Sequence, residues 1–72
     1  MLEDLQSLLV REPFVAFRLI MTSGNAYDVR SPYQLVIKNL RIQYFFERND
    51  RMAWLGVIDV AVIETIEESE HP

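Results

Sequence analysis

Residues 12–24 read Glu-Pro-Phe-Val-Ala-Phe-Arg-Leu-Ile-Met-Thr-Ser-Gly, and they constrain the fold more than any other stretch. Pro13 pushes Glu12 away from helical geometry, so any preceding helix must stop there. A short apolar run with one arginine follows. Ser23-Gly24-Asn25 then turns the chain, with a glycine able to take positive φ. The expectation is a helix-to-strand junction followed by a hairpin. Upstream, Leu2, Leu5, Leu8 and Leu9 share one helical face. Glu3 and Asp4 favour the positive end of the helix dipole, and Arg11 favours the negative end. This predicts a helix over about residues 2–10. A helix that short is marginal alone, so its leucines must dock on something.

From residue 15 to 22 the chain alternates. Val15, Phe17, Leu19 and Met21 point one way, and Ala16, Arg18, Ile20 and Thr22 the other. The first set should face the core, and the second should be half buried, under the helix. Further strands are expected over 26–30, 34–38, 40–47, 52–55 and 61–66, with a helical turn at 57–60. The last strand is rich in β-branched residues. Residues 1–66 should form a single small β domain, and 67–72 an acidic flexible tail. The predicted fold is mainly β: a small SH3-like or Sm-like barrel of five or six short strands with an N-terminal helix.

Two resemblances accompany that reading. The element order resembles the Sm-like fold, in which a helix precedes five bent strands and protomers close into rings through edge strands. The glycine and asparagine signatures of Sm RNA-binding loops are not found here. At motif level, Pro13-Phe14, Phe17-Arg18-Leu19, Ser23-Gly24, Tyr27-Asp28-Val29 and Pro32 resemble a family of short, mostly unannotated bacterial proteins. Trp54-Leu55, Ile63, Ile66 and Glu67 fit the same pattern. Ala16, Ser23 and Ser31 depart from it, where the family has proline, aspartate and histidine. The resemblance implies the fold and no activity.

Composition limits the function. A chain of 72 residues buries only about 60% of its unfolded surface. It has no cysteine for a disulfide or a zinc thiolate site, yet half its residues are apolar. Surplus apolar surface predicts a homo-oligomer, so the first expected partner is the chain itself. The acidic start, Met1-Leu2-Glu3-Asp4, lacks the basic region of a signal peptide. No apolar run nears the ~20 residues of a membrane span. A cytoplasmic protein without a membrane partner is expected. Net charge is −4, with Glu64, Glu67, Glu68 and Glu70 near the end. Between residues 13 and 58, six cations stand against Asp28, Glu47 and Asp50. Nucleic acid is not the expected partner, because bulk binding needs a strong basic excess. A local anion site is compatible with this balance.

No catalytic or metal signature appears, and no cofactor is expected. His71 is the one histidine and sits in the polar tail, where no geometry is held for acid–base chemistry. Ser7, Ser23, Ser31 and Ser69 have no histidine placed to activate them. Asp59 reads as a residue that bonds backbone at the 56–60 turn. Glu67, Glu68 and Glu70 read as a solvated charge run. The arginines carry more. Arginine beside aromatics suits a nucleotide or another planar anion: the fork takes phosphate and the rings stack on a base. Arg18, Arg30, Arg41, Tyr27 and Tyr33 are the candidate ligand-binding residues. The competing reading pairs Arg18 across strands with Asp28 and puts the tyrosines in the core or an interface. The chain is thus expected to be a non-enzymatic homo-oligomeric binding module. It would bind or sequester a small anionic, nucleotide-like ligand between protomers. The alternatives are a protein-interaction adaptor, and a weak Sm-type RNA binder.

Overall fold

The alternation along the first strand survives in three dimensions. In β1 (Phe17–Met21), Phe17, Leu19 and Met21 are buried while Arg18 and Ile20 are half-buried. The computed structural model describes residues 2–48 and 50–66. The expected tail lies outside the described residues. A helix, α1 (Leu2–Val10), precedes β1, and β2 (Ala26–Val29) follows it. After β2 come a single-turn 3-10 helix (Pro32–Gln34), β3 (Leu35–Lys38), β4 (Arg41–Phe45) and β5 (Met52–Gly56). A second 3-10 turn (Val57–Asp59) leads into β6 (Val60–Thr65). Among the described residues no helix is long and apolar enough to cross a membrane.

Hydrogen bonding divides the strands into two three-stranded antiparallel sheets, β2-β1-β6 and β3-β4-β5. The fold is mainly β as expected, but the sheets do not close into one continuous barrel. The break between β2 and β3 has a local cause. Pro32 brings no N–H and suits the first position of a helical turn. Ser31 caps that turn, its hydroxyl accepting from Tyr33 N at 3.2 Å. Gln34, expected as the start of a strand, therefore belongs to the corner.

Gly24 takes φ 96° in the β1–β2 turn, which a side chain would resist. Its N–H donates to Met21 O at 2.9 Å. Asn39 takes φ 59° between β3 and β4, a conformation that asparagine tolerates better than most residues. Asp59 joins the hairpin through its carbonyl, which accepts from Thr22 N at 2.8 Å. The side-chain backbone bond expected of it does not cap the 3-10 turn.

The core lies between the sheets. Phe17, Leu19 and Val29 from one sheet meet Leu35, Ile42 and Tyr44 from the other. Leu5 is fully buried among them, and Leu2, Leu8 and Leu9 pack alongside. The helix therefore docks on the inner cluster. It does not cover the outer face of β1, where Arg18 is engaged in ion pairs instead. Tyr44 stacks edge-on with Tyr27 at 5.1 Å and with Phe46 at 4.9 Å.

Two polar side chains join the sheets at the corner. Gln34 is buried, accepts from Arg30 N at 2.7 Å and donates to Phe45 O at 3.1 Å. The Tyr44 hydroxyl donates to Asp28 O at 2.7 Å. Removing one partner of such a bond leaves a desolvated group unmatched, at about 1–3 kcal/mol per group. Gln34→Leu is expected to lower stability by about 2–3 kcal/mol and Tyr44→Phe by about 1 kcal/mol. Urea unfolding of the variants measures both, and Gln34→Leu should be the more damaging.

Candidate ligand-binding face

Strand register decides which of the candidate cations stand together. Arg18 on β1 lies opposite Asp28 on β2 and opposite Glu64 on β6. The Arg18 guanidinium grips Asp28 through Nε at 2.6 Å and Nη2 at 3.4 Å. Its Nη1 lies 3.6 Å from Glu64. Arg30 also donates to Asp28, at 3.3 Å. Asp28 thus neutralises two of the three candidate arginines, on the outer face of the first sheet. Its carboxyl is held below the usual range, chiefly by the hydrogen bond from Arg18, while burial opposes the shift. Arg18 is correspondingly more tightly protonated, first through the same bond.

Arg41 stands elsewhere, on the second sheet. The outward residues of β3, β4 and β5 are Val36 and Lys38, then Arg41, Gln43 and Phe45, then Met52 and Trp54. Register sets Lys38 beside Arg41, and Val36, Gln43 and Trp54 in one row. The Arg41 guanidinium carbon sits 5.1 Å from the Trp54 ring centre. Cation–π attraction of this kind favours an indole partner. A groove of about 260 Å³ runs here, lined by Val36, Lys38, Asn39, Arg41, Gln43 and Trp54. Among the described residues no carboxylate lines it. Trp54 is 56% exposed, so most of its ring area faces the groove or solvent.

The structure does not gather the five candidates in one place. Arg18 and Arg30 share Asp28, Arg41 pairs with Trp54, and Tyr27 turns inward against Tyr44. Tyr33 is 87% exposed on the corner turn. The residues that accompany Arg41, Lys38 and Trp54 above all, were outside the candidate set. Their signal was present: Lys38 and Arg41 flank a two-residue turn, which places them opposite each other on one face. Trp54 needed the β4–β5 register, which the 48–51 loop did not reveal.

Among the described residues no group of three or more His, Asp and Glu is placed to hold a metal. The face offers a guanidinium fork, an ammonium, a carboxamide and an exposed ring. His71, Glu67, Glu68, Ser69 and Glu70 lie outside the described residues. Compared with known proteins, the chain matches no family model, no curated protein and no solved structure.

The ion pairs make a pH signature. Asp28 has a lower pKa folded than unfolded, so its contribution is complete above the unfolded value. It is lost as pH falls below about 4. Tyr44 has the opposite sign: burial raises its phenol first, and the Asp28 carboxylate adds to the shift. Its contribution is complete below the unfolded value and is lost as pH rises above about 10. Melting temperature against pH should thus fall on both flanks. Asp28→Asn is expected to flatten the acid flank, and Tyr44→Phe the alkaline one.

Proposed function

We propose that this chain is a non-enzymatic binding module that takes a small, planar anionic ligand of nucleotide type on the outer face of β3-β4-β5. The observation that carries this reading is the Arg41–Trp54 pair in a groove with Lys38, where no carboxylate of the described residues takes part. Arg41 offers a fork to the anion and Lys38 a second charge, while Trp54 offers a π-face to the ring. Arg18 and Arg30 serve the fold through Asp28 in this reading, and Tyr27 serves the core.

The same face supports self-association. Val36, Phe45, Met52 and Trp54 are all exposed on it. Exposed apolar side chains clustered on one sheet face mark an interaction surface. Two copies meeting there would place the Arg41 groove at the rim of the joint, between protomers. In finer detail we read the two sheets as an SH3-like or Sm-like barrel left open between β5 and β6. The helical turn just before the last strand fits that reading.

Trp54 is the single tryptophan and lines this groove, so tryptophan emission, excited where tyrosine does not absorb, reports on it. Adenosine monophosphate, adenosine and inorganic phosphate should be titrated in parallel. The nucleotide is expected to quench Trp54 and raise the melting temperature, with the two fragments weaker. Arg41→Ala should weaken nucleotide binding about tenfold, the scale of one lost charge-assisted contact. Arg30→Gln should leave it unchanged. A silent Trp54 and an unmoved melting temperature across nucleotides would sink the reading. Light scattering is expected to give a mass above the 8.5 kDa of one chain.

A further inference from the structure

A second groove lies away from the Arg41 face. It measures about 430 Å³ and separates α1 from β6, lined by Asp4, Ser7 and Leu8 on the helix and Ala61, Val62 and Ile63 on the strand. One wall is a sheet edge. Antiparallel ladders alternate between residue pairs that exchange backbone hydrogen bonds and pairs that do not. Ile66 N donates to Ala16 O at 2.9 Å, which fixes the phase. With Phe17 opposite Thr65 and Arg18 opposite Glu64, the bonds to β1 fall at Glu64 and Val62. The N–H and C=O of Ile63 and Thr65 therefore point away from β1, and those of Ile63 point toward the groove.

The four strand edges are not equivalent. At the corner, Asp28 O is bonded by the Tyr44 hydroxyl, Arg30 N by the Gln34 amide oxygen, and Phe45 O by the Gln34 amide nitrogen. At β6 the helix stands off and leaves a channel instead. The channel combines a backbone ladder, an apolar floor of Leu8, Val62 and Ile63, and the carboxylate of Asp4 on its rim. No cation among the described residues forms an ion pair with Asp4 within 4.0 Å. Glu64, next along the strand, is half exposed and only loosely held by Arg18.

We propose that the α1–β6 groove is a docking site for an extended peptide segment of a partner protein. The segment adds as a further strand on β6, buries apolar side chains against Leu8 and Ile63 on the helix side, and presents a basic side chain to Asp4. Main-chain bonds to Ile63 and Thr65 supply the attachment, and the acidic rim selects the charge. The site is independent of the Arg41 face.

The test uses the full chain, labelled for amide resonances, and a blocked valine-rich peptide with lysines near one end. The expected result is that the largest shifts fall on Ile63 and Thr65 and on the amides of residues 4–8. Methylating the peptide's facing backbone nitrogens should weaken binding at least about tenfold. Replacing its lysines by glutamate should weaken it by a similar factor, and Asp4→Lys should reverse that preference. Asp4 is exposed on the helix surface, so its replacement leaves the core intact. Three outcomes overturn the proposal: no binding, binding indifferent to backbone methylation, or shifts confined to Arg41 and Trp54. A second copy of the chain found in the groove, and not displaced by the peptide, overturns it as well.

Discussion

One carboxamide decides how the two sheets meet. Gln34 sits at the corner where β2 becomes β3, buried, with its oxygen on Arg30 N and its nitrogen on Phe45 O. An isolated amide buried at that point would be costly, but here acceptor and donor are both matched. The bond set also does what no apolar side chain would do there. It quiets backbone groups that a chain reversal leaves over, one on each sheet. Tyr44 repeats the device one step away, reaching from β4 to the carbonyl of Asp28. The core residues Phe17, Leu19, Val29, Leu35 and Ile42 then fill a space whose walls are already registered. Hydrophobic burial supplies most of the driving force in a domain this small, and the corner supplies the geometry.

Asp28 links that corner to the surface. Its carbonyl belongs to the seam between sheets, while its carboxylate organises Arg18 and Arg30 on the outer face. Three strands are thereby tied across by charge: β2 through Asp28, β1 through Arg18 and β6 through Glu64. Directly opposed charges of opposite sign stabilise a sheet modestly, and like charges there would destabilise it. The cations are thereby divided by their partners. Those on the first sheet are held by acids, and those on the second face solvent beside an indole.

Much of this was legible in the residues. The helix bounds follow from the leucine spacing and Pro13, and the inward set of β1 follows from strict alternation. Glycine at position 24 and the 57–59 turn were also readable, because local backbone preferences dominate there. The split into two sheets was not. It depends on a turn of three residues, Pro32–Gln34, and on a glutamine whose role is fixed by partners 4 and 11 residues away. The candidate site was legible only in kind. The expected set joined arginines and aromatic residues, but Arg18 and Arg41 fall on different sheets. Which cation meets an acid and which meets Trp54 depends on pairings across the sheet, and period-two patterns do not encode which strand lies next to which.

The register of β6 carries one more consequence. Between Ile20 and Met21 the pairing slips by one, so Val60 and Val62 face consecutive residues of β1 and Ala61 is left over. Such a bulge bends its strand and interrupts the regular rhythm of the ladder. Any foreign strand laid along this rim meets an even track only over residues 62–65, and then a kink. That is a short ruler: long enough for a brief peptide, too short for the endless stacking that builds fibrils.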